Sequence, residues 1–345
     1  MLNPDFRFVM GKGIFSTIRL WCVLLIAALV CTTALAWEPV SINGVRYVPM
    51  SDMRGHYKFT SEERKDSRIL YKKPGIVLEV KPGSQNIKMN GLKFVLSFPI
   101  VNHQSKGLMV AVLDLHKIFE PVLRPVYIKN RRTFDTVVID AGHGGHDAGA
   151  VNRMAREADL NLDVAKKLQT ILKQQGLKTV MTRTTNTFLT LQQRVDIANK
   201  YQNAIFVSIH FNSGSPSAHG IEVFTLAPAG TSSALSPYIR KDSMAGNAHD
   251  SLNIALATGI QGHLLKGSAT KKYGFTPADR GIQRARFSVL CTIKHPAVLV
   301  EGGFMSHAKE GYLVTTENYK NFVAQSIANG IKQYKTAISG KRATY

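Results

Sequence analysis

Between residues 136 and 335 the chain alternates short apolar runs with longer stretches whose apolar residues recur every three or four positions. The runs at 136–140, 204–210 and 296–301 are almost continuously apolar, the pattern of strands covered on both faces. Over 159–175, Leu160, Val164, Ala165, Leu168, Ile171 and Leu172 share one helical face, and Gly176 supplies the stop. The same reading predicts strands at 178–182 and 221–225 and helices at 190–201, 247–266 and 318–335. Thr190 and Gln193 are spaced as a capping box for the second of the helices. Strands alternating with helices predict an α/β unit, a mixed, mostly parallel sheet flanked by helices.

Residues 37–128 have a different rhythm. Alternating stretches at 41–48, 75–80, 87–91 and 92–97 are broken by Asn-Gly and Pro-Gly pairs, which predicts a small β-rich α+β domain preceding the α/β unit. A span rich in proline and positive charge, Arg124 to Phe134, overlaps the expected linker at 129–135. The α/β unit then occupies 136–336, with a flexible tail at 337–345. Ahead of both, Arg7, Lys12 and Arg19 precede the apolar run 21–31 and the string Ala34-Leu35-Ala36. This is the layout of a secretory signal peptide over 1–36, cleaved before Trp37. Its alternative is a retained anchor, since 21–37 is near the lower length for a span.

Three predicted strands finish in residues with chemical capacity. His143 sits in a glycine-dense turn after 136–140, His210 ends the run from Ala204, and Glu301 ends the run from Ala297. Glu157 lies just before or within the first turn of the helix at 159–175. Open α/β sheets place ligands at the carboxyl ends of strands, so these endings converge on one crevice. Two imidazoles and one carboxylate would hold a tetrahedral zinc with an open fourth position, and an unligated Glu301 could carry a proton. Other readings stay open at this point. His146 could ligate in place of His143, or either histidine could bond the turn. Glu157 could be an acid favoured by the helix dipole, and Glu301 could pair with Arg280, Arg284 or Arg286.

The strings Val137-Val138-Ile139-Asp140-Ala141-Gly142-His143-Gly144-Gly145-His146-Asp147-Ala148-Gly149, Glu157-Ala158-Asp159-Leu160-Asn161-Leu162, Val207-Ser208-Ile209-His210-Phe211-Asn212, Gly220-Ile221-Glu222-Val223, Asp279-Arg280-Gly281-Ile282 and Val300-Glu301-Gly302-Gly303-Phe304 occur in that order. They resemble the zinc-dependent N-acetylmuramoyl-L-alanine amidases of the bacterial cell wall, over about 136–335. The resemblance implies His143, Glu157 and His210 as ligands of one zinc ion and Glu301 as the catalytic carboxylate. It implies an exported hydrolase, periplasmic, envelope-bound or secreted, that cuts the amide between muramic acid and L-alanine in peptidoglycan. Ala141 stands where that family usually has proline, and Gly302 to His307 departs from its usual Thr-Gly-Phe-Ile-Ser-Asn, which bears on loop shape and substrate preference. Asn212, Arg280, Arg284 and His307 are candidate substrate contacts. Alternatives are a zinc peptidase cutting within the stem peptide, and a wall-binding protein held inactive until a protein partner activates it. The amino-terminal unit bears a slight resemblance to copper-amine-oxidase N-terminal-like modules, from which no copper chemistry follows; it is read as a wall-binding unit or a structural cap.

Charge and cysteines fit this picture. The 345 residues carry a net charge of +21, or about +19 once the signal's three basic and one acidic residues are removed, and such a charge seeks a polyanionic neighbour. Peptidoglycan peptides, with their free carboxylates, suit it. Nucleic acid does not, because the cations are scattered without a recognisable module; membrane contact is expected only through an uncleaved signal. Cys22 and Cys31 leave with that signal, so Cys291 is a lone thiol read as a small buried hydrophobe. The Gly-, Ser- and Pro-rich stretches 227–246 and 266–279 read as a groove wall, a lid or a disordered excursion. His219, His249, His263 and His295 read as surface or structural.

Overall fold

In a computed structural model, which describes residues 37–266 and 275–340, Asn43-Gly44 and Asn90-Gly91 both take left-handed backbone, φ 49° and 78° in the first pair and 51° and 82° in the second. That is what a two-residue hairpin turn requires. These and similar turns separate β1 (Val40–Ile42), β2 (Val45–Pro49), β3 (Ser61–Lys65), β4 (Arg68–Lys73), β5 (Ile76–Val80), β6 (Asn86–Met89), β7 (Leu92–Val95), β8 (Val101–His103) and β9 (Gly107–Ala111), with α1 (Met50–His56) after β2. The expected signal at 1–36 with Cys22 and Cys31, residues 267–274 with Lys271 and Lys272, and the last five residues of the expected tail lie outside the described residues.

β10 (Thr136–Ala141), β11 (Lys178–Met181), β12 (Ala204–Asn212), β13 (Ile221–Leu226), the hairpin strands β14 (Thr231–Ser233) and β15 (Ser236–Arg240), β16 (Asp279–Ala285) and β17 (Ala297–Phe304) follow in the carboxyl-terminal part. The order β11-β10-β12-β17-β13-β16 forms one mixed sheet, parallel except where β13 meets β17. The parallel register puts His210 opposite Glu301, and the antiparallel one puts Glu222 opposite Glu301. The sheet does not stop at β16. Ile282 pairs with Phe94, and the backbone N–H of Lys93 donates to Asp279 at 2.7 Å, so the antiparallel meander β7 to β3 continues the same sheet. β3 forms its outer edge with all five residues exposed. β1, β2, β9 and β8 make a separate four-stranded sheet, and residues from Val40 onward form one compact unit.

Helices cover both faces of the central strands. α2 (Glu157–Gln174) buries Leu160, Val164, Ala165, Leu168 and Leu172, α4 (Asp250–Lys266) is buried nearly all round, and α7 (Glu317–Ile338) packs on both. On the other face Val195 and Ala198 of α3 (Leu191–Asn199), with Leu290 and Cys291 of α5 (Ser288–Cys291), meet Val138, Phe206, Phe224 and Leu299. Alternation along each strand sends the intervening residues to the first layer. The capping box of Thr190 and Gln193 is formed, and Cys291 is a buried free thiol. A short helix, α6 (Ala308–Leu313), follows β17. Among the described residues no helix is long and apolar enough to cross a membrane.

One buried polar cluster ties the strand ends together. Asp140 on β10 accepts from Thr182 and Arg194 at 2.7 and 2.8 Å and from Ser208 at 2.7 Å. Arg194, 3% exposed, also donates to the carbonyls of Ala141 and His143 at 2.7 and 2.8 Å. Arg183 donates to the carbonyls of Ala141, Gly142 and Ala158 at 2.8, 2.8 and 2.7 Å. Breaking a buried pair by removing one partner strands the other charge, so R194A is expected to lose about 3–5 kcal/mol of unfolding free energy. Chemical denaturation measures this; a loss under about 1 kcal/mol would show that the cluster does not hold the strand ends.

Candidate active site

The turn after β10 carries His143 in left-handed backbone, φ 59°, and its glycines are needed for space. A Cβ on Gly142 would lie 2.2 Å from the His210 ring, and one on Gly149 would lie 2.6 Å from a Glu157 oxygen and 2.7 Å from His143. The absent side chains therefore form the cradle in which the three residues meet.

Glu157 is the first residue of α2, so the helix start aims it at the strand ends. Its Oε1 lies 3.2 Å from His143 Nε2 and 2.8 Å from His210 Nδ1. The three ligand-capable atoms fall within 4.8 Å of one another. Bonds of about 2 Å in a tetrahedron give edges of about 3.3 Å, so this donor set fits a zinc ion. His143 Nδ1 lies 2.8 Å from Asp147 Oδ2; with Nδ1–H donating to that carboxylate, Nε2 keeps its lone pair for a metal. Burial works against the Glu157 charge, but when His143 and His210 are protonated their hydrogen bonds and positive charge hold its carboxyl far below the usual range. The backbone N–H of Ala150 fixes Oε2 at 2.9 Å.

Glu301 stands beside this group on β17. Burial first, then the charges of Glu157 and Glu222, push its carboxyl well above the ordinary value, and its Oε2 is buried without a hydrogen-bond partner. A cleft of about 600 Å³ joins Glu301 to His143, Glu157, His210 and Asn212, with Phe188, Leu191, Arg286 and Phe287 on its walls. A buried carboxyl with an elevated pKa, next to a metal-type donor set and an open cleft, can move a proton to or from a bound substrate.

His146, the alternative ligand, is exposed and stacks on Phe188 with ring centroids 4.1 Å apart, outside the donor group. Of the candidate substrate contacts, Asn212 lines the cleft and donates to Glu222 at 2.7 Å. Arg280 pairs with Glu222 at 3.2 Å and lies 4.7 Å over the Phe304 ring. His307 accepts from the backbone N–H of Glu310 at 3.2 Å, capping α6, and stacks on His219 at 5.2 Å. Arg284 is 6% exposed on β16 and is not among the residues lining the cleft; burial opposes its charge, while Asp250 and Asp114 favour it. Sequence reasoning gave no role to Asp147, Glu222 or Glu310. Asp147, four residues past His143 in a turn, carried a readable signal; Glu222 needed the antiparallel β13, and Glu310 needed α6.

Glu310 accepts from the backbone N–H groups of Gly220 and Phe304, both at 2.9 Å, and so fixes the end of β17. Burial pushes its carboxyl up to about 7 despite those bonds.

Two outcomes are expected. D147A weakens zinc binding about 10- to 100-fold in a chelator competition, because His143 loses its orienting partner; unchanged affinity would mean that the contact is idle. Glu310, with a raised native pKa, contributes stability that is fully present below the unfolded-state value and lost as pH rises through about 7. Denaturation midpoints at pH 5 and 8 should therefore differ less in E310Q than in the parent chain, and equal differences would count against this account.

Comparison with known proteins gives a consistent result. The Amidase_3 family model, described as N-acetylmuramoyl-L-alanine amidase, matches residues 137–333. The N-acetylmuramoyl-L-alanine amidase AmiA of Salmonella typhimurium is 36% identical over 219 residues, which span 57% of this chain and 75% of that protein. YqiI of Bacillus subtilis, an uncharacterized protein, is 36% identical over 199 residues, 58% of this chain and 84% of that one. Among solved structures, the catalytic domain of CwlV, an N-acetylmuramoyl-L-alanine amidase from Bacillus (Paenibacillus) polymyxa var. colistinus, is 37% identical, covers 58% of this chain and 98% of its own, and superposes with a TM-score of 0.47.

Proposed function

Because the chain belongs to the N-acetylmuramoyl-L-alanine amidase family of hydrolases, we propose that it is a zinc-dependent enzyme that hydrolyses the amide between the lactyl group of N-acetylmuramic acid and L-alanine in peptidoglycan. The observation that carries this reading is the meeting of His143, Glu157 and His210 around one point, with the unpartnered Oε2 of Glu301 beside it. When bound, zinc supplies Lewis acidity, polarising the scissile carbonyl and lowering the pKa of water towards about 7.

The chain's own residues do the rest. His143 and His210 present neutral ring nitrogens, Asp147 fixes the tautomer of His143, and Glu157 neutralises part of the metal charge. Glu301 takes the proton of the attacking water and delivers it to the leaving alanine nitrogen, the proton transfer that a carboxyl of raised pKa serves well. Phe188, Leu191 and Phe287 give the cleft an apolar wall. The sequence pattern at 1–36 supports export to the envelope, where the substrate lies; residues 37–128 are read as a wall-binding unit or a structural cap, with 136–336 carrying the chemistry.

Purified peptidoglycan digested by residues 37–345 with zinc should release peptides bearing a free L-alanine amino terminus. Chelator should abolish this, and E301Q should lower the rate about 100-fold or more. Cuts elsewhere in the stem, or full activity in E301Q, would overturn the reading.

A further inference from the structure

The catalytic cleft does not end at the metal-type donors. Its wall includes Arg286, which also lines a neighbouring groove of about 780 Å³ together with Tyr238, Ile239, Arg240, Lys241 and Asp242. A smaller recess of about 300 Å³ lies between the two and shares Leu191, Ser288, Arg286 and Arg240 with them. One trough thus runs from Glu301 past Phe287 to the hairpin of β14 and β15.

The far end of this trough carries unbalanced charge. Arg240 and Lys241 are exposed, and among the described residues neither they nor Arg286 has a carboxylate within 4.0 Å. Asp242 is the one acid in the lining, against three cations. Arg286 is held in place, donating through one nitrogen to the carbonyls of Pro228 and Thr231 at 3.0 and 2.6 Å. Tyr238 and Ile239 stand open to solvent between the cations, 75% and 53% exposed. Like charges gathered around exposed apolar side chains fit an anionic, partly aliphatic ligand.

We propose that Arg240, Lys241 and Arg286 form the peptide side of the substrate groove and bind the free carboxylates of the stem peptide. The assignment rests on the amidase reading, and it gives the trough a direction. On one side of the scissile amide lies a glycan of hydroxyls and acetamides; on the other lies a peptide whose later residues carry carboxylates. Cations at one end of the trough therefore mark where the peptide leaves the site, with Tyr238 and Ile239 against its aliphatic parts. Long guanidinium and ammonium side chains pair with such carboxylates in a salt-sensitive way.

The test is equilibrium binding of the free stem peptide, with its second-residue carboxylate either free or amidated, to the full chain by calorimetry. The free carboxylate should bind about 10-fold more tightly, an advantage that shrinks at high salt. R240Q/K241Q should bring the ratio of the two affinities to about one, and R240K should retain most of it; melting temperatures of both variants check that each is folded. Equal affinities in the parent chain, no binding of either peptide, or an undiminished ratio in R240Q/K241Q overturns the proposal. Binding needs no turnover, so the two readings fail separately: intact preference without release of free L-alanine termini sinks the amidase reading alone, and release of such termini with no preference sinks this one alone.

Discussion

The structure turns on the contact between Asp140 and Arg194. A charge pair this deeply buried survives only when its remaining hydrogen-bonding capacity is filled, and here the surplus donors of Arg194 and Arg183 go to the carbonyls of residues 141–143 and 158. Those carbonyls belong to the turn that bears His143 and to the start of α2 that bears Glu157. The ionic cluster therefore does more than join β10, β12 and α3: it sets the path of backbone from which two of the donors project. A turn rich in glycine has little stiffness of its own. Its stiffness comes from two arginines that never touch the proposed reaction.

Electrostatics within the site divide the carboxylates by their neighbours. Glu157 faces two imidazoles and stays charged. Glu301, opposite Glu222 in the register and close to Glu157, has no cationic contact among the described residues and holds a proton more tightly. Two chemically similar side chains thus receive different tasks from their surroundings. Glu222 is itself held by Asn212 and Arg280, two residues read from sequence as candidate substrate contacts.

Much of this was legible in the chain. Continuous apolar runs located β10, β12 and β17, and the three-to-four spacing located α2, because strand and helix periods leave unambiguous traces over long buried segments. His143, Glu157, His210 and Glu301 stood out because each ends or begins such a segment. What escaped depended on pairings distant in sequence. β16, with Asp279, Arg280, Gln283 and Arg284 among seven residues, does not look like a strand until β13 and β7 flank it. Arg284 was read as a candidate substrate contact for the same reason, since nothing local shows that Asp114 and Asp250 lie near it. The hairpin of β14 and β15 is short, polar and partly exposed, so its pattern matched a loop as well as a strand.

The union of β7 with β16 has a consequence for self-association. Were the carboxyl-terminal sheet to stop at β16, that strand would present unpaired amides and carbonyls to any neighbouring chain. The meander instead carries the edge out to β3, where Glu62, Glu63, Arg64 and Lys65 stand side by side, all exposed. Another copy approaching to add a strand would have to strip these charges of water and disturb the pairs that Glu62 and Glu63 make with Arg54, Arg64 and Lys72. The amino-terminal strands thus act as a selvedge, finishing the cloth so that it does not join to the next piece.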